Sequence, residues 1–277
     1  MLTRVAVGRA RVVQEIRAAA PLMSEPAAPL TARGPWLTAV LNEQSAPLLA
    51  SARPRAVVVE QHQQGRPDGT ALLSFRRRGP STAVTLLGDA AGPVPGGSPS
   101  SRLYARDDGI AGRLADGVVD QLARVRGPWT LRLTGLPLGD PTVCRLAAVL
   151  ATAEVATSRS RRLVDELDAV GEVRRSRDPG ELEHWLPGLL ARLPAREQRF
   201  ARAAARLHAA IGRVEVAVLP GRERPAAVLL TLLDGPDAAI RLPWWGFSDV
   251  GGLDRALGSP VVTLTASAGF RGLARRV

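Results

Sequence analysis

The spacing of apolar residues switches between helical and strand periods along the chain, and the switches divide it into elements. Over residues 1–22, Val5, Val12, Val13 and Ile16 fall at roughly helical spacing, which predicts a peripheral helix. Residues 1–35, with a proline-containing stretch after Met23, read as an N-terminal extension. From Trp36, "WLTAVLNEQSAPLLASA" predicts a short helix that Pro54 stops. Three β-type runs follow, separated by the turn-forming clusters "GRPDG" and "RRRGPS", and these predict a three-stranded antiparallel meander. Beyond a glycine- and proline-rich loop, "GIAGRLADGVVDQLARV" sets Leu114, Val118, Leu122 and Val125 on one helical face. "WTLRLTGL" then reads as a strand and "PTVCRLAAVLATAEVA" as a helix.

The second half repeats this order. "GELEHWLPGLLARL" and "REQRFARAAARLHAAIG" are amphipathic helices, the latter with Arg202 and Arg206 on its outer face. "RVEVAVL", "AAVLLTLL" and "AAIRLPWW" form another meander, "GGLDRALG" reads as a shortened helix, and "VVTLTAS" as the next strand. Setting Gly79 on Gly235 aligns residues 71–86 with residues 227–242 without a gap, and both segments end in Ala-(Val/Ile)-x-Leu. The repeated order and the alignment together predict an internal duplication, with half-domains at 36–157 and 158–277.

Composition changes this picture little. Hydrophobic residues are 45% of the chain and the mean hydropathy is +0.02, which suits a folded protein and is too apolar for a disordered one. The single Cys144 excludes an internal disulfide framework and a cysteine-built zinc site, and His62, His184 and His208 are too scattered for a metal box, so no metal is expected. No apolar run approaches the ~20 residues of a spanning helix, so no membrane partner is expected and cytoplasm is the expected location. The net charge of +11 points at first to nucleic acid. Yet all 37 basic residues are arginine, which, beside the abundance of alanine, glycine and proline, fits coding drift in a GC-rich genome. Arginine grips phosphate in a bidentate way, so a polyanion such as tRNA stays open as a partner without being favoured.

A mixed sheet with a β-meander, a helix and a further strand resembles the GNAT acyltransferase fold, an α/β (α+β) class. Two such halves in tandem resemble the FemAB-like transferases. The likeness runs from about Trp36 to the C-terminus and rests on "GRERPAAVLLTLLDGPDAAIRLPWWGFSD" and "SAGFRG" as well as on element order. It implies an acyl-CoA cofactor, acetyl-CoA or another, whose pyrophosphate is held by amides at a helix start in an Arg/Gln-x-x-Gly-x-Gly/Ala motif. "RDDGIAG", residues 106–112, matches that pattern and opens the helix after the first meander. The resemblance therefore assigns Arg106, Gly109, Ala111 and Gly112 to the cofactor.

The family also implies a general base for the amine and a tyrosine to protonate the leaving thiolate. The only tyrosine, Tyr104, precedes the helix and leaves that role unfilled. Glu60 and His62, two apart on a strand, share a face where an acid and an imidazole can cooperate, and Asp89 closes the third strand as a further base. Trp244 and Trp245, in "PWWGFSD", are candidates to line an acceptor pocket, whereas Trp129 and Trp185 read as core residues. Three functions follow: an acyl-CoA-dependent N-acyltransferase acting on a small amine or thiol, a FemAB-like transferase using aminoacyl-tRNA, and a non-catalytic binding protein on the same fold.

Overall fold

A computed structural model describes residues 1–24, 28–44, 52–61 and 66–269. The chain forms two units, Met1–Asp89 with Ser101–Ser158 and Pro260 onward, and Ala90–Ser100 with Arg159–Ser259. In sequence the second unit is therefore inserted into the first. The residues before Trp36 are counted with the first unit, as are those from Pro260 onward.

The first unit begins with β1 (Leu2–Val7), α1 (Arg9–Ala18), α2 (Ala20–Met23) and α3 (Gly34–Gln44). Val5 is thus a strand residue paired with Val57, and only Val12 and Ile16 of the expected helical set are buried on α1. The expected meander is present as β2 (Ala52–Glu60), β3 (Gly69–Arg78) and β4 (Ser81–Leu86). Val57 and Val59 pack into one core cluster with the helix described next, while Ala56 and Val58 point the other way and are equally closed to solvent. Both faces of β2 are covered, which is why its sequence is an unbroken apolar run.

β5 (Tyr104–Ala105) pairs with the start of β3, and α4 (Asp108–Ala123), β6 (Trp129–Pro137) and α5 (Pro141–Val149) follow. Leu114, Val118 and Leu122 of α4 are buried in the core of this unit, as their spacing predicts. Helix α5 ends at Val149, and the residues read as its continuation open a long strand, β7 (Glu154–Asp165).

The second unit carries α6 (Leu167–Val170), β8 (Arg174–Ser176), α7 (Pro179–Leu190), α8 (Ala195–Ala210), β9 (Val214–Leu219), β10 (Ala227–Asp234) and β11 (Ile240–Ser248). Its four-stranded antiparallel sheet has the order β11-β10-β9-β8. The final strand, β12 (Leu253–Ala268), absorbs the "GGLDRALG" segment read as a helix. Helix-forming Leu, Ala and Arg are overridden there by ladder hydrogen bonds, as tertiary context often does to propensity. The large sheet has the order β1-β2-β3-β4-β6-β12-β7, with β5 on β3; β1–β2, β2–β3, β3–β4, β3–β5 and β6–β12 pair antiparallel and β4–β6 in parallel.

Gly79 and Gly235 each stand at the second turn of a three-stranded meander, both with positive φ, 57° and 75°. Glycine takes that conformation without a Cβ penalty, and Pro80 supplies a fixed φ to the two-residue turn after β3. The turns differ in length, since Arg78 pairs with Ser81 but Asp234 with Ile240. Among the described residues, no helix is long and apolar enough to cross a membrane.

Candidate functional site

Strands β4 and β6 pair in parallel. Their ladder runs only from Thr82/Trp129 to Thr85/Arg132, although β6 continues to Pro137. β4 itself ends at Leu86, and the residues of β6 beyond Arg132 meet the loops that follow. Thr134 donates its hydroxyl to Asp89 Oδ1 at 2.9 Å, and the Gly135 carbonyl accepts the Ser101 amide at 3.1 Å. The start of α4 lies at the same edge of the sheet, because Arg106 N donates to Asp68 O and β5 pairs with Gly69 and Thr70 of β3, which is antiparallel to β4. Carboxyl ends of parallel strands beside a helix N-terminus form a crevice suited to an anionic ligand.

The residues of the helix start are already committed in part. Asp107 is the N-cap of α4, and its carboxylate accepts the Ile110 amide at 2.8 Å. The Ala111 amide donates to Asp107 O at 2.9 Å and its side chain is buried, so Ala111 cannot turn its amide to a pyrophosphate as the motif implied. Asp108 and Gly109 keep the amides that a helix start leaves without an intrahelical acceptor. Gly112 has open space where a Cβ would stand, and a Cβ at Gly109 would meet only Asp107 Oδ1, at 3.2 Å. Arg106 is exposed, and Asp68 takes its guanidinium at 2.8 Å while accepting the Gln61 amide with its other oxygen. Asp68, in the first turn of the meander, went unassigned in the sequence; the local signal was its place before Gly69 in "PDG".

The expected catalytic groups do not gather. Glu60 is buried at the end of β2 and accepts Arg4 Nε at 2.8 Å and Nη2 at 2.6 Å; Arg4 also pairs with buried Glu15. Glu60 is thus half of a structural ion cluster rather than a base open to substrate. His62 lies outside the described residues. Asp89 is exposed, three residues beyond the end of β4. Tyr104 is buried and donates to Ala32 O at 2.9 Å, a tie within the fold. Asp140 was also unassigned. It caps α5 by accepting the Val143 amide at 3.0 Å, ahead of a proline at the first helical position, a legible start signal. Burial pushes its carboxyl above the usual range, against amide hydrogen bonds and nearby Arg102 that pull it down.

The tryptophans exchange roles relative to expectation. Residue pairing along β10 and β11 slips between Leu230 and Thr231, opposite Trp245 and Pro243, so Trp244 is the extra residue of a β-bulge. Trp244 is buried and donates its indole N–H to Pro93 O at 2.7 Å; Trp245 is half-buried and donates to Leu189 O at 3.3 Å. Both therefore anchor the second unit's own packing. Trp185, read as a core residue, instead lines a cleft of 610 Å³ between α7 and the β8–β9 face. Among the described residues no three His, Cys, Asp or Glu side chains converge on a common point.

No family model matches the chain, and no curated protein matches it. Among solved structures it is similar to a tandem GNAT protein from the clavulanic acid biosynthesis pathway, at 16% identity over 97% of this chain and 99% of that one, with a TM-score of 0.43. It is also similar to FemX, at 12% identity and a TM-score of 0.46, covering 84% of this chain and 58% of that one. Both are likenesses of fold.

Proposed function

We propose that the chain is an acyl-CoA-dependent N-acyltransferase whose donor enters at the carboxyl end of the β4–β6 ladder. The observation that carries this reading is the parallel ladder that ends at Thr85 and Arg132, where β4 stops, at the end of the sheet where α4 begins. The donor's phosphates would take the amides of Asp108 and Gly109, with Arg106 released from Asp68 or shared with it. The acceptor nitrogen attacks the thioester carbonyl, Asp89 takes the amine proton, the C–S bond breaks, and Asp89 returns that proton to the departing thiolate so that coenzyme A leaves as the thiol.

Calorimetric titration with acetyl-CoA tests this. Gly109→Val has room to fold, since only the Asp107 carboxylate borders the new Cβ, but its side chain obstructs backbone approach. Binding by the wild type and loss of binding in a folded Gly109→Val protein are expected. Unchanged affinity in that variant, or no heat with the wild type, removes the donor site.

One observation favours a second reading, a binding protein without turnover on the same fold. Asp107 and Asp108 set two carboxylates at the helix start, and the Ile110 and Ala111 amides are spent inside it. Carboxylates there satisfy the helix dipole that a pyrophosphate would otherwise meet.

A further inference from the structure

The cleft in the second unit uses none of the residues proposed for the acyl donor. One wall is sheet. Arg174 pairs with Val218 and Ser176 with Val216, so these four side chains share a face of β8 and β9. Val216 and Val218 form its apolar floor and are nearly closed to solvent. The other wall is one face of α7, where Glu181, His184 and Trp185 stand at i, i+3 and i+4. The segment 220–225 forms the lip and brings Arg222 and Arg224 to the rim.

Trp185 is held open over this floor. Its indole N–H donates to Glu181 Oε2 at 3.0 Å, and the His184 ring meets it edge-on with centroids 4.5 Å apart. A half-buried indole pinned in this way presents a fixed aromatic wall, which reduces the ordering cost of a flat ligand. Charge at the rim is unequal. Three arginines, Arg174, Arg222 and Arg224, line the cleft against two carboxylates, Glu181 and Glu223, and the indole N–H that Glu181 accepts orients that carboxylate without neutralising it. Arg224 pairs with Asp249 at 3.2 Å, whereas Arg174 and Arg222 form no ion pair among the described residues and stay available to an anion. At 610 Å³ the cleft has the volume of a small-molecule site.

We propose that this cleft is a binding site for a flat aromatic ligand bearing one anionic group, its ring between Trp185 and the Val216–Val218 floor and its anion on Arg174 and Arg222. The ring and the anion are recognised separately, so they can be tested separately.

The probes are 1-naphthoate and its uncharged analogue 1-naphthamide, titrated calorimetrically into the full chain. Naphthoate should bind at least about tenfold more tightly, the factor expected for charge-assisted hydrogen bonds to a guanidinium. The double variant Arg174→Gln/Arg222→Gln should lose that preference and keep its affinity for naphthamide, whereas Trp185→Leu should weaken both probes. Equal affinity for the two probes, no heat from either at millimolar concentration, or a preference that survives the double variant overturns the site. Both arginines are exposed, so the double variant tests the proposal even where Trp185→Leu fails to fold. Acetyl-CoA takes no part in these titrations, so they can fail while the donor site stands.

Discussion

Removing the carboxylate of Asp107 should move stability and donor affinity in opposite directions. The side chain caps α4 by accepting the Ile110 amide at 2.8 Å. Asp107→Ala leaves that donor without its partner and should cost about 1 kcal/mol of stability, in the middle of the range for N-cap removal. The same change takes a negative charge from the place proposed for a pyrophosphate and frees a third amide beside those of Asp108 and Gly109. At about 5 Å in near-aqueous surroundings, each ligand charge relieved of that neighbour gains about 0.8 kcal/mol. Two such charges make about 1.6 kcal/mol, a little over tenfold in affinity for acetyl-CoA. Asp107→Asn separates the two effects. Asparagine caps as well as aspartate, so stability should fall only by the few tenths of a kcal/mol of lost dipole interaction, while affinity still rises. Urea unfolding measures the first quantity and calorimetry with acetyl-CoA the second. Acetyl-CoA affinity that is unchanged or lower in both variants refutes the placement of the phosphates at α4.

Two further predictions concern buried charge. Arg4→Met leaves Glu15 and Glu60, whose side chains are 11% and 6% exposed, without their shared cation, and should cost about 3 kcal/mol in urea unfolding; that is the low end of the range for breaking a buried pair, because Arg4 itself is 33% exposed, and a loss below about 1 kcal/mol would contradict the structural role of the cluster. Burial pushes the His208 imidazole below its ordinary value of 6.5, with a hydrogen bond to Ala204 O as the lesser, opposing cause, so the unfolded chain takes up the proton first; the associated stability is complete above pH 6.5 and is lost as pH falls below it, and calorimetry from pH 7.5 to 5 should show that loss in the wild type but not in His208→Gln.

Elements whose signal is local could be read from the sequence, and those fixed by distant pairing could not. The meander β2–β3–β4 announces itself through turn residues and β-branched runs, and α4 through a single buried face. Strand β1 is six residues long and abuts α1, so a window spanning both averages periods of two and 3.6 into one weak helix. Its real determinant is pairing with β2, 48 to 58 positions away. The same distance hides the chemistry of Glu60. Local spacing places it on the face of a strand, but the Arg4 that neutralises it comes from β1. Trp244 misleads for a different reason. With Trp245 and Phe247 it makes an aromatic cluster that looks like a pocket lining, and only the bulge opposite Leu230 shows how the chain accommodates it. Trp185 stands at apolar spacing on α7 and looks like core, yet the strand facing it, β8, has three residues and leaves the indole partly uncovered.

The carboxylates near the edge where α4 begins differ in what they still have to offer a reacting amine. Asp107 accepts a main-chain amide, Asp68 a guanidinium and an amide, and Asp140 the first amides of α5; Glu60 is enclosed with Arg4. A general base needs an unshared lone pair within reach of the substrate, and a carboxylate that holds a helix start or a buried cation can supply one only by weakening the fold. Asp89 is differently placed. It is exposed, and the partner of its Oδ1 is the neutral Thr134 hydroxyl on β6, which orients the group without neutralising it. The hydroxyl bond can be exchanged for a water or an amine at little cost, since one neutral hydrogen bond replaces another. On the proposed reading, proton transfer at this edge therefore belongs to Asp89, and Thr134 acts as its positioning residue.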